Sequence, residues 1–195
     1  ALPICDTSFV IWTTTPWTIP ANLGICLNKD YTYALVESEK GKLIVLEELV
    51  DALWEKFGLE TKKKLATYKG SELEMITCQH PLYDRESLVI LGDHVTADAG
   101  TGCVHTAPGF GADDFFIGQK YGLPAYCNVD EHGCMMEDAG DWLKGQYVDD
   151  ANKTVTQRLD AMGALLKLEF ITHSYPHDWR TKKPIIFRAT TQWFA

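Results

Sequence analysis

Hydrophobic and polar positions alternate with a period of two in several short stretches of the chain. Tyr31, Tyr33 and Leu35 alternate with more polar neighbours, and an aliphatic run at residues 43–46 follows Gly41. Two such runs separated by a glycine-containing turn predict a β-hairpin. Further β-type runs predict strands at residues 8–14, 73–78, 87–91, 102–106 and 166–170.

Helices are predicted in three other stretches. Apolar residues recur at intervals of three and four between positions 46 and 57, and Gly58 follows as a stop signal. The same reasoning predicts a helix over residues 151–162, ended by Gly163. A short helix is also predicted from about residue 112 to a point before Gly122. The pattern therefore predicts a mixed α/β, β-rich chain that forms one domain over residues 1–195.

Charge and composition narrow the possible partners. The chain has 195 residues and a net charge of −9, from 18 basic and 27 acidic residues. This balance disfavours wrapping of duplex nucleic acid, which depends on lysine and arginine contacts to phosphates. It is compatible with a nucleic-acid partner that inserts only a short single-stranded end into a pocket of the protein. No stretch approaches the ~20 apolar residues of a membrane helix, and the six scattered cysteines are typical of reduced thiols. We therefore expect a cytoplasmic protein with no membrane partner.

The first segment with candidate chemistry covers residues 12–22 and reads W-T-T-T-P-W-T-I-P-A-N. It holds four threonines and an asparagine among two prolines. Because prolines fix φ and remove amide donors, a regular ladder is not expected to continue here. Hydroxyls and unpaired backbone groups on such a stiff peptide could hold a sugar and an ester. The alternative is a threonine-rich strand that simply ends at a proline.

The second segment covers residues 100–114, where His105 precedes a glycine-rich loop that leads to Asp113 and Asp114. Glycines let a ligand approach the backbone closely, and a carboxylate can bind an ammonium group. Alternatively, the aspartates cap the helix that follows and interact with its dipole.

Other arrangements of reactive residues are disfavoured. The chain has no G-x-S-x-G elbow and no H-E-x-x-H helix. Cys103 and His105 could form a thiol–imidazole pair, but residues two apart share a face in any strand. Two further clusters match no usual zinc spacing: Cys127, His132 and Cys134, and His173 with His177. We therefore predict neither a thiol mechanism nor a metal site.

Both segments resemble motifs of one enzyme family. W-T-T-T-P-W-T-x-P-x-N resembles the threonine-rich peptide in the editing insertion of bacterial-type isoleucyl-tRNA synthetases, and G-T-G-x-V-H-T-A-P-G-x-G-x-D-D resembles their second editing motif. Residues 173–177 and 184–194 resemble the route back to the synthetic domain. The resemblance covers nearly the whole chain, in three ordered motifs.

The resemblance implies a β-barrel-like editing domain with peripheral helices, excised from a larger synthetase, with residues from about 178 to 195 leading back to the synthetic domain. It implies hydrolysis of mischarged Val-tRNA(Ile) in a small pocket that excludes isoleucine, with valyl-adenylate as a further candidate substrate. The implied partners are the 3' aminoacylated end of tRNA(Ile), its valine moiety and the rest of the synthetase. No cofactor is expected for editing, since ATP and magnesium belong to the synthetic domain. Asp178 and Thr181 replace cysteines of some relatives, so no zinc is expected there.

The resemblance also assigns site residues. The implied catalytic residues are Thr14, Thr15, His105 and Asp114, with Asp114 holding the α-ammonium group. The implied substrate-binding residues are Trp12, Thr13, Thr18, Asn22 and Ala107. The general base stays open between His105 and a neighbouring ribose hydroxyl of the tRNA.

Two rival functions remain. The chain could be a module that binds a tRNA end or a nucleoside without turnover. It could also edit for a valyl or leucyl enzyme; valyl enzymes tend to show T-T-R-P-E-T in the first motif, whereas Pro16, Trp17 and Thr18 favour the isoleucyl branch.

Overall fold

Eight strands and four α-helices are found among residues 6–172 and 174–191, which this computed structural model describes. The chain divides into two units. The first comprises the described residues up to Thr15 together with Asn22–Thr106, and the second comprises Pro16–Ala21 with the described chain from Ala107 onward. His173 and residues 192–194 of the closing motif lie outside the described residues.

Both sheets belong to the first unit. One has the order β1-β4-β3-β5, formed by β1 (Thr7–Phe9), β3 (Thr32–Ser38), β4 (Gly41–Leu46) and β5 (Lys63–Lys69). Strands β3 and β4 are antiparallel and confirm the predicted hairpin. Gly41 begins β4 directly after the turn, with a φ of 101°, a conformation that residues with a Cβ rarely adopt.

The second sheet has the order β6-β7-β2-β8, formed by β2 (Gly24–Leu27), β6 (Thr77–Gln79), β7 (Glu86–Leu91) and β8 (Val104–Thr106). Strand β2 is central, parallel to β7 and antiparallel to β8. Gly24 is paired with Leu88 on one side and with Thr106 on the other. Residues just before β2 therefore lie between the start of β7 and the end of β8.

The hydrophobic core of the first unit is formed by side chains from both sheets. Leu27 of β2, Leu46 of β4 and Val89 of β7 are buried in one cluster with Tyr33 of β3. The Tyr33 hydroxyl accepts the Asn28 N–H at 2.9 Å and donates to a backbone carbonyl at 2.8 Å, so this buried polar group is satisfied. Burial of apolar surface against both sheets is what stabilises the unit.

Helix α1 (Val50–Phe57) in the first unit confirms its prediction and ends at Gly58, whose φ of 68° is left-handed. A second helical turn, α2 (Gly70–Leu73), follows β5. In the second unit, α3 (Ala112–Lys120) and α4 (Val148–Ala161) confirm the other two predicted helices. The buried face of α4 has the expected spacing of three and four: Val148, Ala151, Val155 and Leu159.

Several predicted strands differ from those observed. The strand predicted at residues 166–170 is wrong, since no strand is found there and Phe170 is almost fully exposed. The strand predicted at 8–14 is shorter, and that at 73–78 is partly wrong because Leu73 ends α2. Strand β5 was not predicted because its lysines read as a solvated face, and β2 has no alternating pattern because all four of its residues are buried.

The mixed α/β, β-rich class is confirmed, and the described strands form two sheets rather than a closed barrel. The assignment of residues 1–195 to one editing domain stays a prediction. No helix in the described part of the chain is long and apolar enough to cross a membrane.

Candidate functional site

Asn22 and His105 are brought together by the central strand of the second sheet. His105 is paired with Ile25 across β2 and β8, and Asn22 lies just before β2. The Asn22 amide nitrogen is 2.7 Å from His105 Nδ1 and donates to the Gly24 carbonyl at 2.8 Å. Both side chains are buried, with exposed fractions of 5% and 8%. The two predicted residues therefore form one buried polar pair.

The hydrogen bonds of the pair determine which nitrogen of His105 carries the proton. The Gly24 carbonyl can only accept, so the atom of Asn22 that faces it must be Nδ2. The same nitrogen faces His105 Nδ1, and an amide nitrogen only donates. Nδ1 is therefore an acceptor without a proton, and the neutral ring carries its proton on Nε2.

Burial keeps the His105 ring neutral. Loss of solvation, together with a smaller contribution from the nearby His80, lowers the pKa of His105 from its ordinary value of 6.5 to about 4. His80 is itself buried, and its Nδ1 accepts the Leu82 N–H at 3.0 Å. At neutral pH, His105 is thus a hydrogen-bond donor through Nε2 and has no lone pair there for accepting a proton.

Acid should destabilise the first unit through His105. Its pKa is lower in the folded state than in the unfolded state, so the stabilisation is complete above pH 6.5 and is lost as the pH falls towards 4. The pKa difference corresponds to about 3 kcal/mol of unfolding free energy. We expect urea unfolding at pH 7 and pH 4 to show this loss of unfolding free energy in the wild-type chain. The decrease between the two pH values should be smaller by about the same amount in His105→Gln. Equal losses in both proteins would contradict the lowered pKa.

The threonine-rich segment of the first unit is folded back on itself. The Thr15 N–H donates to Thr13 Oγ1 at 3.0 Å, a local turn that competes with strand pairing. Between these two half-buried residues, Thr14 is exposed. Trp12 is 43% exposed and forms an isolated parallel bridge with Val104, the neighbour of His105. Thr14 and Trp12 can therefore contact a ligand at the surface of this unit.

The second half of the threonine-rich segment belongs to the other unit, as a 3-10 helix over Pro16–Ala21 in which Thr18 is buried. The Trp17 N–H donates to the side-chain oxygen of Asn152 on α4 at 3.0 Å. Trp17 also contacts Phe110 edge to face, with ring centroids 5.0 Å apart. The segment is thereby fixed to α4 and to the glycine-rich loop.

Asp114 closes the glycine-rich loop of the second unit. It lies in the first turn of α3, half-buried, and its Oδ2 accepts the N–H of the buried Ala107 at 2.8 Å. Asp113, its neighbour in the same turn, is exposed. The prediction that the aspartates cap α3 is wrong, because the N-cap is Gly111 and no side chain caps the helix. Both carboxylates still lie in the first turn, where negative charge favours the helix dipole, and the contact of Asp114 with a ligand stays a prediction.

Cys103 is unsuited to nucleophilic chemistry. It is buried in the core of the first unit, its Sγ faces the Ile44 carbonyl at 3.8 Å, and burial strongly raises its pKa. The thiol therefore stays protonated, whereas nucleophilic attack requires the thiolate. Among the described residues, no three His, Cys, Asp or Glu side chains are placed to hold a metal ion.

Two residues of the sites were not found from the sequence. Ser87 at the start of β7 donates through Oγ to Asn22 Oδ1 at 2.5 Å. Asn152 holds Trp17, as described above. Neither residue belongs to a motif, and only the strand pairing of β7 with β2 and the packing of α4 bring them to their partners.

Bacterial isoleucine--tRNA ligases match nearly the whole chain. The protein of Oceanobacillus iheyensis is 60% identical over 187 residues, a match that covers 96% of this chain and 20% of that protein. The protein of Geobacillus thermodenitrificans is 58% identical over 190 residues, covering 97% and 20%. The chain thus spans about one fifth of the length of the curated relatives that it matches. No family model matches it.

Solved structures with the same fold are leucyl-tRNA synthetase fragments. The crystal structure of GlLeuRS-CP1 has a TM-score of 0.65 at 17% identity and covers 87% of this chain and 84% of that chain. The P. knowlesi cytosolic leucyl-tRNA synthetase editing domain has a TM-score of 0.63 at 11% identity, with coverage of 81% and 83%. The fold is therefore that of an aminoacyl-tRNA synthetase editing domain. Within that class, the chain is a homologue of one segment of the isoleucine--tRNA ligases, which confirms the predicted resemblance.

Proposed function

We propose that the chain hydrolyses the ester bond of mischarged Val-tRNA(Ile), and also valyl-adenylate, as the second sieve of an isoleucine--tRNA ligase. Its partners in this role are the 3' aminoacylated end of tRNA(Ile) and the rest of the ligase. The observation that carries the proposal is the neutral, buried His105 held by Asn22 within a segment homologous to those ligases. This is a fixed neutral donor of the kind that ester hydrolysis uses to stabilise developing negative charge.

The need for such a sieve follows from the size of the amino acids. One methylene is worth only about 1–3 kcal/mol in a hydrophobic pocket, and the discrimination of isoleucine from valine is the established example of this limit. A second, smaller site admits valine and excludes isoleucine by steric overlap. Hydrolysis at that site then removes the error.

In the proposed reaction, water attacks the carbonyl carbon, the bond to the ribose oxygen breaks, and the proton of the water ends on that oxygen. His105 donates a hydrogen bond from Nε2 to the carbonyl oxygen of the ester as negative charge develops on that oxygen. It does not serve as the base. The ribose hydroxyl of the tRNA next to the ester is the other candidate for the base, and it is more compatible with a His105 ring that only donates. Asp114 binds the α-ammonium group, and Thr14 and Thr15 orient the water. Thr13 lines the site for the terminal adenosine and the ester, and Trp12 is a pocket wall. Within this proposal, Thr18 and Ala107 are buried parts of the substrate-binding walls.

The proposal is tested by deacylation of Val-tRNA(Ile) beside Ile-tRNA(Ile) at high protein concentration. We expect the valyl ester to be cleaved at least about 100-fold faster than the isoleucyl ester if the site excludes the extra methylene by overlap rather than by weaker binding. Equal cleavage of both esters would contradict a small pocket.

Binding of a non-hydrolysable valyl-adenosine analogue separates the proposal from the rival module. Saturable binding without any turnover of Val-tRNA(Ile) would favour a binding module. Editing for a leucyl enzyme is supported only by fold similarity at 17% identity or less, which is weaker than 57–60% identity to isoleucine--tRNA ligases.

A further inference from the structure

All hydrogen-bonding groups of the Asn22 side chain have partners inside the protein. Its amide nitrogen donates to the Gly24 carbonyl and to His105 Nδ1. Its oxygen accepts from Ser87 Oγ. A carboxamide nitrogen has two hydrogens, so both donors of Asn22 are already in use. A direct hydrogen bond from Asn22 to a ligand would require one of these buried bonds to break.

Ser87 is buried as fully as its partner, with an exposed fraction of 3%. Its backbone neighbour Leu88 donates to the Leu23 carbonyl at 3.0 Å, so the ladder between β7 and β2 fixes the Ser87 hydroxyl beside Asn22. The Gly24 carbonyl determines that the nitrogen of the Asn22 amide faces His105. The Ser87 hydroxyl donates to the oxygen on the other side of the amide. A buried amide oxygen without this donor would be costly, and the amide would be free to rotate away from Nδ1.

We propose that Ser87 and Asn22 are positioning residues that act through His105, with Ser87 orienting the Asn22 amide and Asn22 holding the His105 ring with its proton on Nε2. The proposal deepens the proposed function and rests on it for its effect on hydrolysis. It moves Asn22 from the substrate-binding residues to the residues that prepare the catalytic donor. It also adds Ser87, which lies 65 residues away from Asn22 in the sequence.

The first test removes and restores the hydroxyl at position 87. We expect Ser87→Ala to reduce kcat for Val-tRNA(Ile) about 10-fold with KM changed less than about 2-fold, since the loss of one buried hydrogen bond disturbs the donor and not the binding surface. Ser87→Thr keeps the hydroxyl and should recover most of this loss. Ser38→Ala is the matched control, because Ser38 is another buried serine of the first unit whose hydroxyl hydrogen-bonds only within its own hairpin, to the Gly41 carbonyl and the Lys40 N–H.

The second test reads the His105 ring directly by 15N NMR. The wild-type chain should show a protonated Nε2 and an unprotonated Nδ1, and Ser87→Ala should shift or broaden the Nδ1 signal. Asn22→Asp replaces the donor with an acceptor, so the proton should move to Nδ1 and the ring should titrate at a higher pH. The same spectra report whether each variant is folded.

The outcomes separate the two proposals. If Ser87→Ala and Asn22→Asp leave the ring signals unchanged, or if Ser87→Ala leaves kcat within about 2-fold of wild type, the positioning role is wrong. An Asn22→Asp variant that changes KM with unaltered ring signals would return Asn22 to substrate binding. If the wild-type chain cleaves no aminoacyl ester while the ring signals respond as expected, the proposed function fails and the hydrogen-bonded arrangement stands.

Discussion

Replacing Asp114 with asparagine is expected to slow hydrolysis of Val-tRNA(Ile) about 10- to 100-fold, because a hydrogen bond to a charged group contributes about 1.5–3 kcal/mol. Asparagine keeps an oxygen that can accept the Ala107 N–H, so the bond that closes the glycine-rich loop can persist. The variant therefore removes the charge that would pair with the α-ammonium group and leaves the local fold in place. The measurement is kcat/KM for deacylation, beside a thermal unfolding curve of each protein.

Asp113→Asn is the matched control, since Asp113 lies in the same first turn of α3 and is exposed. We expect it to change kcat/KM less than about 2-fold, because exposed charges near a helix end contribute only weakly. N-acetyl-valyl-tRNA, which has no ammonium group, should be a poor substrate for the wild-type chain and no worse for Asp114→Asn. Equal losses in the Asp113 and Asp114 variants would assign the effect to helix charge rather than to an ammonium contact.

Gly109→Ala is expected to destabilise the second unit by about 3 kcal/mol or more, since overpacking against rigid atoms is among the costly substitutions. A Cβ at this position would lie 2.0 Å from the Tyr126 carbonyl oxygen and 3.2 Å from the Cys127 Cα, both backbone atoms. The Gly109 carbonyl also accepts the Ala189 N–H at 2.7 Å, so the loop has backbone neighbours on two sides. Urea unfolding should show the loss, and deacylation should fall with it.

Gly111→Ala separates crowding from the mere loss of a glycine in the same loop. Gly111 has an extended φ of −167°, and a Cβ there would lie 3.6 Å from its nearest neighbour, the Asp114 Cγ. As the residue before the first turn of α3, it should cost about 1 kcal/mol or less when replaced by alanine. A Gly109→Ala protein as stable as Gly111→Ala would mean that the backbone at residues 126–127 moves aside easily.

The sequence predicts elements well where one face is buried and the other is solvated. The hairpin of β3 and β4 and the helices α1 and α4 follow from such periodicity. Helix α3 does not, because its only buried residue is Gly118. Strand β2 escapes prediction because it is buried on both faces and shows no alternation. The run at 166–170 alternates but forms no strand. Alternation of apolar and polar residues leads to a strand only where a neighbouring strand is available for backbone hydrogen bonding.

Some features of the candidate site could likewise be predicted from the sequence, and others could not. The two motifs contain every residue type that the proposed chemistry needs, and they were recognisable because functional loops concentrate Thr, Gly, His and Asp at fixed spacing. The protonation state of His105 was not recognisable. It depends on burial, on the Gly24 carbonyl and on the Asn22 amide, none of which can be inferred from the spacing of residues 83 positions apart.

By itself, the sequence determined the family resemblance, the mixed α/β class, the main helices and hairpin, and the segments that carry the candidate site. Only the tertiary structure decided that His105 is a neutral ring with its proton on Nε2 and that Ser87 lies beside Asn22. The physical reason is that residue types and periodicity are local properties of the chain. Desolvation and hydrogen-bond direction, in contrast, arise where β7, β2 and β8 pair across long separations in sequence.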